Sequence, residues 1–429
     1  MKLIEKFKNN KTAKDSFLVL MANGISQVMG LLIVLIVSKV LSVAEYGVYT
    51  LLNNISSFVS DMADMGMNSS ITRFVAEYRV AEDRRNEEQL IAYAIKRKIV
   101  SLVIVFVVVL VFAKPLAKLF LHDVSKYQYL YLVIFICGFS LFVGAMRAII
   151  QGRQEYEKYF LSIVVWNSVW FVAMLLFSIC GKLTITSSMI AQVLSGFVNL
   201  SLTIKLVGID KSILKSSVQV RTDIKTKFNN FGNWMMLWSI FALLQSRLDV
   251  FMLATLTTAE QVSYYDIASK LIRPVLMVTS AYSQVLNPQF ASIINRDELH
   301  GKIRSASKFI LLVSVGIVLA IFCIKSVVIL LFGMKYENSI VPCQMLMFAI
   351  IFFVWTIPFN SALYALNMPY VFTIAAFVGL VVTAIGNFFL LGKYGAIGAS
   401  ITFIAAQIVG LVIAVVAYIM MNRKDKNEQ

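Results

Sequence analysis

Apolar residues run along this chain in blocks too long and too continuous for the one-sided stripe of a soluble helix. Leu102 to Ala113 and Ile401 to Met421 are nearly uninterrupted. Dividing the pattern at its charged and glycine-containing breaks predicts twelve spans of membrane-crossing length. They lie at about 16–41, 47–78, 96–113, 128–150, 160–180, 184–206, 229–256, 262–290, 306–332, 341–366, 369–391 and 396–421. Lys2, Lys6, Lys8, Lys11 and Lys14 precede the first block and Ser42-Val43-Ala44 follows it, as in a signal peptide. Phe17 to Leu41 is far longer than a signal core of ~7–15 residues. It reads as a retained span.

Twelve spans put both termini on one side. With the amino terminus cytoplasmic, about 28 of the 39 Lys and Arg fall inside and about 8 outside, which fixes the orientation by the positive-inside rule. The expected organisation is a cytoplasmic segment 1–15, an amino lobe 16–206, a cytoplasmic linker 207–228, a carboxyl lobe 229–421 and a polar, unstructured tail 422–429. The linker carries Lys211, Lys215, Arg221, Lys225 and Lys227. It is either an amphipathic helix on anionic headgroups or a solvated basic connector. Leu41-Ser42-Val43-Ala44-Glu45 with Tyr49 recurs as Leu256-Thr257-Thr258-Ala259-Glu260 with Tyr264, and Ala191-Gln192 recurs as Ala406-Gln407. The shared offset of about 215 is half the chain, so a six-span unit is duplicated, and an even span count makes the copies parallel. The fold class is therefore an all-α polytopic membrane protein with two six-helix lobes around a central cavity.

Composition agrees: 59% of residues are apolar, 14% charged, and the mean hydropathy is +0.79, against roughly 25% charged in soluble domains. Two His and four Cys exclude most metal centres and any disulfide framework. A net charge of +16 would point to nucleic acid in a soluble chain. Its placement on alternate loops points to membrane lipids instead. No phosphate loop or His/carboxylate cluster is found, so neither a metal nor another cofactor is expected.

Polar residues inside spans are costly and mark function or internal bonding. The second span is the most polar, with Asn53, Asn54, Ser56, Ser57, Asp61, Asp64, Asn68, Ser69, Ser70 and Thr72 before Arg73 and Glu77. It reads as one long, tilted helix lining a cavity, and Asp61 and Asp64 are candidates for proton or cation coupling. Arg247 and Asp249 lie on the seventh span, and Lys270 and Arg273 share a face of the eighth. Two readings stay open. In one, Asp249 pairs with Arg247 or Lys270 to join two helices; in the other, the cations form a surface for an anionic substrate, with Asp249 a further coupling candidate. Asn287-Pro288 and Ile357-Pro358 mark breaks or kinks, and Gly392, Gly395 and Gly398 a turn with close helix approach.

The stretch Leu41-Ser42-Val43-Ala44-Glu45-Tyr46-Gly47-Val48-Tyr49 resembles the first extracellular turn of polysaccharide repeat-unit (O-antigen type) flippases of the multidrug/oligosaccharidyl-lipid/polysaccharide (MOP) exporter superfamily. Gly66 to Glu77, Ile150-Gln151-Gly152-Arg153, Asp249 with Tyr264 and Lys270, and Tyr394-Gly395-Ala396-Ile397-Gly398-Ala399 are similar to the same family. Gln261-Val262 departs from it where the second copy lacks the Tyr46-Gly47 pair. The resemblance implies two lobes, a V-shaped cavity and transfer of a polyprenyl-diphosphate-linked oligosaccharide to the outer leaflet of a bacterial inner membrane by a monomeric transporter. Polysaccharide polymerase machinery is a possible partner. The diphosphate-binding role it implies falls on Arg247, Lys270 and Arg273, then on Arg73 and Arg147. A multidrug exporter of the same fold is the first rival. A membrane glycan polymerase or ligase is the second, and it would need a large extracellular loop that the pattern does not contain.

Overall fold

The computed structural model describes residues 11–208, 243–244, 247–291, 296–366, 368 and 370–426. Residues 209–242, which hold nearly all the expected linker and the first half of the seventh span, lie outside them. Among the described residues the secondary structure is helical throughout, with no strand. The helices are α1 (Lys11–Val40), α2 (Val43–Asp64), α3 (Met67–Val80), α4 (Arg84–Leu121), α5 (Gln128–Gly152), α6 (Tyr156–Ile179) and α7 (Ile185–Val207). They continue as α8 (247–256), α9 (Ala259–Ala291), α10 (Arg296–Phe332), α11 (Ile340–Ala365) and α12 (Tyr370–Lys426). The chain divides into two compact units at Leu243/Leu244.

Eight helical stretches among the described residues are long and apolar enough to cross a membrane. The last of these, Tyr370–Met421, is two spans. Gly395 breaks it with φ 54° and ψ −130°, and a Cβ on Gly386 would touch Thr402 sixteen positions away. In a straight helix those residues would stand about 24 Å apart. The polar helices α2 and α9 complete the pattern beside the partly described seventh span. Lipid contact is written on α4, where Val103, Phe106, Val111 and Phe112 are each about half exposed. Such an apolar surface is foreign to a soluble monomer.

In the first unit α5 is the hub, packed against α2, α3, α4 and α7, while α1 packs on α6. In the second, α11 is the hub, packed against α9, α10 and α12. The hubs are the fourth and tenth spans, one sequence offset apart. The repeated motif lands on the same junction in each unit, between the first and second helices. In the first copy Ser42 caps α2 in a capping box with Glu45: the Glu45 amide donates to Ser42 Oγ, and the Ser42 amide and hydroxyl donate to the Glu45 carboxylate.

Three expectations change. The second span is not continuous: Met65 and Gly66 both adopt left-handed backbone (φ 48° and 69°), which ends α2 and starts α3 in a new direction. The third span begins at Arg84, twelve residues before its apolar block, because a polar first turn capped by Asp83 extends the helix beyond the bilayer. The carboxyl tail continues α12 to Lys426 rather than ending at Met421.

Of the three glycines near the last turn, Gly395 supplies the positive φ, and a Cβ on it would collide with Gln261 Oε1. That oxygen accepts from the Ala396 amide at 2.8 Å, tying α9 to the start of the last span. Gly395→Ala is expected to cost about 1–3 kcal/mol through strain and the displaced Gln261. Gly392→Ala, with open space around it, should not. Thermal unfolding of the two purified variants distinguishes them, and equal melting temperatures would contradict the assignment.

Candidate functional site

One end of the first unit is organised by the α2–α3 break. Asp64 sits at the end of α2, and its Oδ2 accepts from the Asn68 amide, serving the first turn of α3. Its Oδ1 meets Lys98 Nζ of α4 at 2.5 Å. Lys98, fully buried, also donates to Asn68 Oδ1 (2.8 Å) and to the Leu141 carbonyl of α5 (3.1 Å). One ammonium thus uses all three protons to join α2, α3, α4 and α5. The sequence pattern places Lys98 at the inner end of the third span without marking it as buried. Asp64, expected as a coupling group, is placed in this ion pair. Asp61 is exposed on α2. Several of the remaining polar side chains of α2 bond to its own carbonyls: Asn53 to Tyr49, Asn54 to Thr50 and Ser57 to Asn53.

Further along α5, close packing sets the position of two candidate cations. A Cβ on Gly152 would lie 2.9 Å from the Thr72 carbonyl, and Thr72 Oγ1 donates to the Ala148 carbonyl at 3.2 Å. Arg73 and Arg147 therefore sit at one level of two packed helices. Arg73 is exposed, beside the Phe74 ring. Arg147 is half-buried: its Nε donates to Ser162 Oγ (2.8 Å), its Nη2 to the Ser162 carbonyl (3.1 Å), and its guanidinium lies 5.7 Å from the Trp166 ring centroid. Each of these partners is neutral. Among the described residues no carboxylate lies within ion-pair distance of Arg147, and its Nη1 has no partner. Arg153, from the motif around Gly152, does a different job. It pairs with Glu87 at 2.7 Å and donates to the Val207 carbonyl at the end of α7.

In the second unit Asp249 is held by two neutral donors. Tyr265 Oη donates to its Oδ2 at 3.0 Å and Asn387 Nδ2 to its Oδ1 at 2.8 Å. The pairing of Asp249 with Arg247 or Lys270, one of the two open readings, is not formed. Lys270 pairs with Asp266 at 2.7 Å, one helical turn back on α9. Asp266 carries an i,i+4 signal for this pair in the sequence. Tyr265 rather than its neighbour Tyr264 reaches Asp249. Arg273 is exposed on the next turn after Lys270, and Arg247 is half-buried on α8. Asn387 Oδ1 is buried with no partner among the described residues. Asp249 and this oxygen place an acid and an unused acceptor on the same pair of helices.

These features define the class: an all-α, multi-pass membrane protein with the fold of MOP-superfamily transporters. The chain superposes on a lipid II flippase, MurJ, in an inward closed conformation, with a TM-score of 0.73 and 15% identity over 92% of this chain and 86% of that one. An inward-facing multidrug resistance MATE family transporter of the MOP superfamily gives 0.75 at 14% identity, covering 94% and 96%. An uncharacterized membrane protein of Methanocaldococcus jannaschii is 23% identical over 424 residues, 96% of this chain and 98% of that protein. More specifically, the sequence model described as polysaccharide biosynthesis protein matches residues 12–294. The chain belongs to the polysaccharide biosynthesis protein family.

Proposed function

We propose that the protein is a flippase, not an enzyme, that carries a polyprenyl-diphosphate-linked oligosaccharide repeat unit from the cytoplasmic to the outer leaflet by alternating access. The setting is a bacterial inner membrane with both termini cytoplasmic, and the product feeds cell-surface polysaccharide assembly of the O-antigen type. Family membership supports the glycan, and the likeness to a lipid II flippase supports a lipid-linked one. The observation that carries the reading is Arg147. A cation at membrane depth with only neutral partners leaves room for an anion, and a guanidinium suits a diphosphate. It lies five residues from the end of α5, about 7.5 Å along the axis, at the depth where a headgroup would enter from the cytoplasmic leaflet. Arg73 on the same level adds a second cation. In the second unit Arg247 and Arg273 remain candidate cations, while Lys270 is paired with Asp266.

The test is reconstitution in liposomes with a fluorescent polyprenyl-diphosphate oligosaccharide, read by an impermeant quencher. Protein-dependent exposure of the lipid to the quencher supports the flippase. Failure to move this lipid, with uptake of cationic drugs by the same vesicles, would establish the multidrug rival.

Asp249 is the coupling group in this reading. A carboxylate at membrane depth held by a phenol and an amide requires a proton or a monovalent cation to neutralise it. Binding and release of that ion would link the α8–α9–α12 contacts to the transport cycle. Asp249→Asn is expected to abolish the dependence of flipping on an imposed proton or sodium gradient while leaving slow, gradient-independent exchange. Gradient dependence equal to wild type in the Asn variant would remove Asp249 from coupling.

A further inference from the structure

The second unit contains a cavity of about 270 Å³ lined by Ser283 of α9, by Phe353, Thr356, Ile357, Asn360 and Ser361 of α11, and by Phe372 of α12. No charged side chain lines it, so it is not where a diphosphate would settle. It is smaller than the ~300–1,000 Å³ of pockets that hold drug-sized molecules. A single ring fits that scale.

The polar groups of the lining are arranged to receive hydrogen bonds. Thr356 Oγ1 donates its proton to the Phe353 carbonyl at 2.6 Å, and Ser283 Oγ donates to the Thr279 carbonyl at 3.1 Å. Each hydroxyl has spent its one donor within its own helix, and its lone pairs remain for an incoming O–H. Asn360 contributes an amide with two donors and one acceptor, and it has no hydrogen-bond partner among the described residues. It stands two positions after Pro358, which sits inside α11 and cannot donate to the helix carbonyl four residues back. Two phenyl rings complete the lining, and their electron-rich faces take polarised C–H bonds. Hydroxyl acceptors, one two-way amide and aromatic faces are what a neutral sugar ring requires. A polyprenyl tail would leave the amide and hydroxyls unmatched, at a cost in each case.

We propose that this cavity is a subsite for one neutral sugar of the lipid-linked glycan, with Asn360 as its specificity-determining residue. The proposal rests on the flippase reading above and adds to it where the glycan is read.

The experiment compares two probes in the reconstituted full-length protein: polyprenyl diphosphate bearing a single hexose, and polyprenyl diphosphate without sugar. The measured quantity is the ratio of their flipping rates. In wild type the ratio should favour the glycosylated probe. Asn360→Leu should lower it about tenfold, the worth of one or two lost hydrogen bonds. Thr356→Val, which keeps the shape and removes one acceptor, should lower it by a smaller factor. A wild-type ratio near one, or an unchanged ratio in both variants, overturns the subsite while leaving the flippase reading in place. If wild type moves neither probe, the flippase reading fails and the subsite falls with it. Because the readout is a ratio measured on one preparation, partial misfolding of a variant cancels.

Discussion

Replacement of Lys98 by Met should all but remove the folded protein from the membrane. The ammonium is fully buried and bonded to Asp64, Asn68 and the Leu141 carbonyl. Deleting it leaves a carboxylate without its counter-charge and removes one donor each from Asn68 Oδ1 and the Leu141 carbonyl. Breaking a buried pair from one side costs about 3–5 kcal/mol, a large share of the stability of a typical domain. The same principle makes a second forecast. Removing both charges, as Lys98→Met with Asp64→Leu, should recover much of the loss, because a well-packed apolar pair avoids the desolvation of two ions. Recovery should stop short of wild type, since Asp64 also accepts from the Asn68 amide at the start of α3. Abundance in membranes and thermal unfolding in detergent measure both effects. A Lys98→Met protein as abundant and as stable as wild type would show that the ion pair does not hold these helices.

Arg147→Ala should behave in the opposite way, with export lost and the fold intact. When the guanidinium goes, Ser162 and Asn199 still satisfy one another: Ser162 Oγ donates to Asn199 Oδ1 at 3.0 Å, and Asn199 Nδ2 donates to the Ser162 carbonyl at 2.5 Å. No acid is left unpaired among the described residues, so the stability penalty is confined to the two hydrogen bonds to Ser162 and the contact with Trp166. Loss of a charge-assisted contact to the diphosphate, worth about 1.5–3 kcal/mol, corresponds to a fall of about ten- to a hundredfold in flipping. Arg147→Lys should restore part of it, because a point charge attracts the diphosphate without the planar fork. Flipping per folded molecule equal to wild type in Arg147→Ala would refute the assignment. So would a melting temperature as low as that of Lys98→Met.

The two residues also show what the sequence could and could not reveal. Block hydrophobicity yields the all-helical membrane fold, because long apolar runs have no other stable use. It yields the turn at Gly395 as well, since a glycine cluster between two apolar runs has a local cause. Arg147 was reached only through family resemblance, and its neutral surroundings depend on Ser162 and Asn199 from two other helices. Lys98 was passed over because a lysine two residues into a predicted span counts as an inner-side charge under the positive-inside rule. Only the early start of α4 carries it into the protein interior. The break at Met65-Gly66 left a single glycine as its signal, within a stretch whose polar residues suggested one tilted helix. Asp266 is a different case: its partner Lys270 is four residues away on the same helix, a spacing legible in the sequence. Contacts along one helix are written in spacing. Contacts between helices depend on tertiary placement that spacing does not encode.

The order of Asp64 and Lys98 along the chain bears on how the protein is made. Asp64 leaves the ribosome 34 residues ahead of Lys98, with α2 and α3, while α4 follows. When the lysine reaches the bilayer its counter-ion and its amide acceptor are already there. A membrane helix carrying an isolated ammonium inserts poorly, and here the acid that offsets that cost is delivered first. The pairing thus acts as an assembly instruction, in which α4 can settle only against an α2–α3 corner that has formed before it. Insertion of α4 on its own, without the preceding helices, should therefore be much less efficient than insertion of the same helix in sequence.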